Sequence, residues 1–124
     1  MKIKVADLYD LSLGLNDLAD KELPISTSLK IEQNQKRVSE ELVSTDKIRQ
    51  KLIEKYKDND VKVENGVKIK DDKLDIFQEE VQELMNQDVE LDLKKIDLKD
   101  LGEISIKPRS LTFLKTILKT DNAE

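Results

Sequence analysis

The chain has 124 residues, enough for one domain, and carries 22 Lys and Arg against 27 Asp and Glu, a net charge of −5. It has no Cys, His or Trp, which removes disulfides, thiolate chemistry, the commonest general base and the commonest metal ligands. Leu, Ile, Val and Phe supply 39 residues, enough apolar mass to bury a core although 40% of the chain is charged.

With only 3% aromatics, base-stacking platforms are not expected. No apolar run reaches membrane-spanning length, and the first residues, Met1 to Asp7, lack the apolar region of a signal peptide. The expected location is the cytoplasm. Lys outnumbers Arg 19 to 3 and Ala occurs three times, the usage of an AT-rich genome.

Val5, Leu8, Leu11, Leu15 and Leu18 recur at spacings of three and four, which predicts a first helix. Gly14 lies inside it at a propensity cost of about 1 kcal/mol. Pro24 predicts a break after Leu23. A second helix is expected from the cap candidates Ser26, Thr27 and Ser28 to about Asp58, because no Gly or Pro intervenes. At 1.5 Å per residue it would span about 48 Å, longer than a domain with a radius of gyration near 14 Å can cover. It is therefore expected to protrude, to bend or to pack on something outside the chain. Val38, Leu42, Thr45, Ile48, Leu52 and Tyr56 form its seam, while Glu32 to Arg37 is nearly all polar.

Alternation over Val61 to Lys70 around Asn65-Gly66 predicts a two-residue β-hairpin. Asp71 and Asp72 would cap a third helix with the stripe Leu74, Phe77, Val81 and Leu84, short enough to lie back on the second. Val89 to Leu93 alternates as a strand. Leu98 to Leu101 reads as a helical turn closed by Gly102, and Ile104 to Ile106 as another short strand. Pro108 suits the first turn of a last helix carrying Leu111, Leu114 and Leu118, followed by a frayed tail, 120–124. The predicted class is α+β and helix-dominated. It comprises one domain, 1–124, with a long antiparallel helical hairpin, a small β element and a C-terminal helix.

The chemistry-bearing patterns are weak. Asp58-Asn59-Asp60 starts like a calcium loop, but Lys62 and Val63 occupy the fifth and sixth positions, so a helix exit is the better reading. Asp88, Glu90 and Asp92 would share a strand face and read as solvated. The three glycines are isolated, which leaves no phosphate loop, and without His no Ser triad is available. No catalytic, cofactor-binding or metal-binding residue is assigned, and no small-molecule substrate is evident. Lys47, Arg49, Lys51, Lys55 and Lys57 make the end of the second helix basic. That pattern suits a helix C-terminus and favours nucleic-acid binding less, since four of the five are Lys.

The segment Leu15 to Ile25, the long charged helix ending Arg49-Gln50-Lys51-Leu52-Ile53-Glu54-Lys55-Tyr56, the Asn65-Gly66 turn and the later Phe77 to Leu84, Val89 to Leu93 and Ile104 to Pro108 follow one another in a familiar order. Together they resemble small uncharacterised proteins of tailed bacteriophages of low-GC hosts. The resemblance is one of pattern over most of the chain and supplies no site residues. It implies a phage context, in the host cytoplasm or the virion, and a non-enzymatic role. The expected role is protein–protein interaction or virion assembly, including self-association. The alternatives are occlusion of a host defence protein and a non-specific nucleic-acid accessory role. The expected partner surface is the second helix at Val43, Ile48 and Ile53, with Lys51 and Lys55 at its rim.

Overall fold

A computed structural model describes residues 1–60, 66–102 and 106–119. The elements are β1 (Lys2–Lys4), α1 (Val5–Ala19), α2 (Ile25–Tyr56), α3 (Leu74–Met85), β2 (Asp88–Glu90), β3 (Ile96–Asp97), α4 (Pro108–Leu114) and β4 (Leu118–Lys119). Helix dominates, and the α+β expectation stands.

The central helix is α1. All five leucine and valine positions of its predicted stripe are buried, and Leu8, Leu11, Leu15 and Leu18 are fully so. Burying such a side chain stabilises the fold by about 1.5–3 kcal/mol. Gly14 lies on the flank that meets α4. A Cβ there would stand 2.7 Å from Leu114 Cγ and 3.1 Å from Phe113 Cβ, so the glycine is what lets the two helices approach. No side chain caps the start of α1. β1 runs straight into it, and the Val5 N–H is satisfied by the Gln87 carbonyl at 2.9 Å.

α2 returns antiparallel along α1. Gln35 donates to Asn16 at 3.0 Å and Tyr9 to Asp46 at 2.8 Å, so contacts advance along one helix as they retreat along the other. The helix opens at Ile25, directly after Pro24, rather than from a Ser or Thr cap, and no side-chain cap bond forms. It ends at Tyr56, two residues before the expected Asp58. Asp58 instead accepts the Asp60 N–H at 3.0 Å in an Asx turn, which is the helix exit expected there.

The buried line of α2 is Thr27, Ile31, Asn34, Val38, Thr45 and Tyr56. The predicted seam is retained at Val38, Thr45 and Tyr56, with Leu42 and Leu52 half-buried, but Ile48 is exposed. The polar stretch Glu32 to Arg37 does not interrupt the seam, because Asn34 within it is completely buried and hydrogen-bonded. Nor does α2 lack partners within the chain. α1 packs along it from its start, and α3 lies back on its end, where the Tyr56 and Phe77 rings meet edge to face at 6.2 Å. One side of α2 is bare; its length is not.

Ahead of α3, Asp71–Lys73 form a 3₁₀ turn in place of a carboxylate cap. The residues of α3 are nowhere fully buried. Residues 61–65 of the expected hairpin, 103–105 of the expected strand Ile104 to Ile106, and the tail 120–124 lie outside the described residues. On the described side of the hairpin, Ile69 pairs antiparallel with Lys57. The Asp58 N–H donates to the Lys68 carbonyl at 2.7 Å and the Lys70 N–H to Tyr56 at 3.0 Å.

The strand expected over Val89 to Leu93 is shorter and begins earlier. β2 pairs antiparallel with β1 in the register Lys2↔Glu90, Ile3↔Val89, Lys4↔Asp88. The turn Leu98–Leu101 is present and Gly102 closes it at φ +63°, a conformation that favours glycine. α4 starts at Pro108 as expected but stops at Leu114, so Leu118 belongs to β4, which pairs parallel with β3. α1, α2, α4 and the 93–101 segment bury one continuous apolar cluster.

Candidate functional site

α2 has 32 residues and buries one side. Its opposite side holds three of the exposed large apolar residues of the described chain. Ile25 is 89% exposed, Leu29 56% and Val43 54%. Eighteen residues separate Ile25 from Val43, about five whole turns, so they lie on one line along the helix, and Leu29 sits one turn after Ile25. Lys36, Lys47, Gln50 and Glu54 fall near the same line. Around its apolar member the surface forms a shallow recess of about 520 Å³ lined by Val43, Asp46, Lys47, Gln50 and Lys51.

The five expected partner residues do not form one face. Steps of five residues rotate a helix by about 140°, so Val43, Ile48 and Ile53 point to three different sides. Val43 and Lys51 share the recess. Ile48 is 48% exposed on another side, near the Lys55 stripe, and Ile53 is half-buried. Lys55 is occupied within the chain. Its ammonium lies 5.0 Å over the Tyr56 ring and 3.8 Å from Glu80, whose Oε1 also accepts the Tyr56 hydroxyl at 2.8 Å. Tyr56 first, and then the Glu80 carboxylate, hold the Lys55 ammonium above its ordinary pKa. Lys57 pairs with Glu54 at 2.8 Å. Two of the five cations at the basic end are therefore engaged by carboxylates.

Ile25 and Leu29 are missing from the expected surface. Their angular position could have placed them there, because both precede Val43 by whole or nearly whole helical turns. A second recess, of about 420 Å³, runs between α1 and α2. Leu15, Val38 and Leu42 line it together with Ser12, Asn16, Gln35, Ser39 and Asp46. At its end the Tyr9 phenol is held above its ordinary pKa. Burial is the main cause and the Asp46 carboxylate adds to it, while Arg49 opposes both.

Among the described residues no group of three or more His, Cys, Asp or Glu is placed to hold a metal ion, and no helix is long and apolar enough to cross a membrane. No family model, curated protein or solved structure matches the chain.

Proposed function

We propose that the chain is a non-enzymatic protein–protein interaction or assembly protein of the kind tailed phages encode, working in the host cytoplasm or the virion. The observation that carries this reading is the two-sidedness of α2. One side is covered by α1 and α3, and the other presents Ile25, Leu29 and Val43 in one line. Scattered exposed apolar residues are ordinary on a protein surface, but alignment along one side of a single helix suits helix-on-helix docking. Lys36, Lys47 and Glu54 near that line intersperse charges of both signs among its apolar residues. The order of elements that resembles phage proteins supports the context.

The test is the absolute mass in solution by light scattering coupled to size exclusion, at two salt concentrations, for the natural chain and for Ile25→Glu/Val43→Glu. A defined oligomer that the double variant reduces to a monomer, with unchanged helicity, supports assembly through this line. Ile48→Glu is expected to leave the mass unchanged, because Ile48 faces elsewhere. A monomer at every concentration sinks self-assembly and moves the reading to occlusion of a different protein.

A further inference from the structure

A cleft of about 380 Å³ lies on the flank of α2, lined by Gln33, Lys36, Arg37, Glu40 and Lys94. In a chain of net charge −5, three cations meet one carboxylate there. None of Lys36, Arg37 or Lys94 takes part in any of the ion pairs among the described residues. Four of the lining residues follow the 33, 36, 37, 40 pattern of a single helical stripe, about 10.5 Å long. The fifth comes from far along the chain, and its position is fixed. The Lys94 N–H donates to Asn34 Oδ1 at 2.7 Å, and Asn34 Nδ2 donates to the Lys94 carbonyl at 2.9 Å. Asn34 is wholly buried, and Leu93 and Ile96 on either side of Lys94 are buried as well. The backbone of Lys94 is therefore held against α2 by the core, and its side chain is exposed.

We infer that this cleft binds a compact phosphate-type anion. Arg37 would offer a planar fork matched to two phosphate oxygens, Lys36 and Lys94 would add point charges from opposite walls, and Gln33 would supply a neutral donor. The volume lies in the range of small-molecule sites. Glu40 at one end of the stripe repels an anion that extends past the cations, which favours a short ligand over a nucleic-acid strand. The inference does not rest on the interaction proposed for the outer line of α2, although Lys36 lies near both surfaces.

Titration calorimetry with inorganic pyrophosphate at constant ionic strength tests it. The natural chain should bind saturably with one site. Arg37→Ala should weaken binding about tenfold or more, the scale of lost hydrogen bonds to a charged group. Lys94→Ala should also weaken it, and Lys47→Ala, on the outer line, should not. Arg37, Lys94 and Lys47 are exposed, so all three variants should keep the natural circular dichroism and melting curve. No saturable binding at millimolar pyrophosphate, or equal weakening by Lys47→Ala, overturns the site. Tighter binding of a single-stranded oligonucleotide, with the same dependence on Arg37 and Lys94, overturns the compact anion in favour of nucleic acid.

Discussion

Asn34 and Lys94 are joined by two hydrogen bonds, so that a side-chain amide on α2 pairs with one residue's backbone much as a neighbouring strand would. The segment between β2 and β3 is too short and irregular to satisfy its own polar groups, and it crosses α2 where the helix is buried. A leucine in place of Asn34 would fill the volume but strand the Lys94 N–H and C=O. Asn34→Ala should therefore cost about 2–4 kcal/mol, the loss of two buried partners, measured as a drop in the urea midpoint with the slope unchanged.

Asn34→Asp gives a sharper test of the same pair. Its carboxylate can accept the Lys94 N–H but faces the Lys94 carbonyl with no proton to donate. Burial and that carbonyl favour the neutral acid, so the folded pKa of the new group lies above the unfolded value of about 3.9. A raised folded pKa means that the contribution is present below the unfolded pKa and is lost as pH rises through the folded one. Relative to the natural chain at each pH, Asn34→Asp should be most destabilised near neutrality and should recover as pH falls toward about 4. A deficit that does not change with pH would show that the introduced carboxylate escapes to solvent and that the pairing is not enforced.

Gly14 sets the distance between α1 and α4. Replacing a helix glycine by alanine ordinarily gains about 1 kcal/mol. Here the added methyl would meet Leu114 Cγ at 2.7 Å, and Leu114 is fully buried. Overpacking of this kind costs about 1–3 kcal/mol, so Gly14→Ala should be net destabilising by about 1 kcal/mol and Gly14→Val by more. A higher melting temperature for Gly14→Ala would mean that α4 moves away at little cost.

The parts legible in the sequence are those that local chemistry fixes. α1 announces itself because five apolar residues at helical spacing all reach the core, and Pro24, Gly102 and Pro108 punctuate the chain where their backbone limits require. The short strands are not legible in the same way. β1, β3 and β4 have two or three residues each and exist because a partner lies alongside, not because of an alternating pattern. The Asn34 site is hidden by its own polarity. Thr27, Ile31, Asn34, Val38 and Thr45 step along one line of α2, but three of the five are polar, so a hydrophobic reading finds the line at Val38 and Thr45 and passes over Asn34. The expected partner surface differs for another reason. Residue type and nearness in sequence group Val43 with Ile48 and Ile53, whereas helical rotation spreads these three apart and instead joins Val43 to Ile25.

Tyr9 and Asp46 link α1 to α2 through a hydrogen bond that titration can read. The chain has two tyrosines, so in a Tyr56→Phe background the absorbance of tyrosinate reports Tyr9 alone. Burial and Asp46 both favour the neutral phenol, and the midpoint should lie above the ordinary value of about 10. The folded pKa is raised, so the contribution to stability is complete below the unfolded pKa and is lost as pH rises through the folded one. Asp46→Asn should lower the midpoint, since the carboxylate's share is removed while Arg49 remains. Some upward shift should remain, because burial, the largest single cause, is untouched. An unchanged midpoint in Asp46→Asn would show that the bond is not held in solution.

α3 should be the first helix to open. None of its residues is fully buried, whereas α1 has six buried positions. What fixes α3 is concentrated at the end of α2, where Phe77 meets the Tyr56 ring at 6.2 Å and Glu80 accepts the Tyr56 hydroxyl and faces Lys55. Elements with few buried contacts open at lower free energy than the core. Hydrogen exchange should therefore protect the amides of Leu8 to Leu18 well above those of Phe77 to Leu84. Phe77→Ala should speed exchange throughout α3 and leave α1 nearly unchanged, because the two helices share little contact. If α1 and α3 lose protection together in that variant, α3 does not open separately. Its docking on Tyr56 would then be part of the global folding transition.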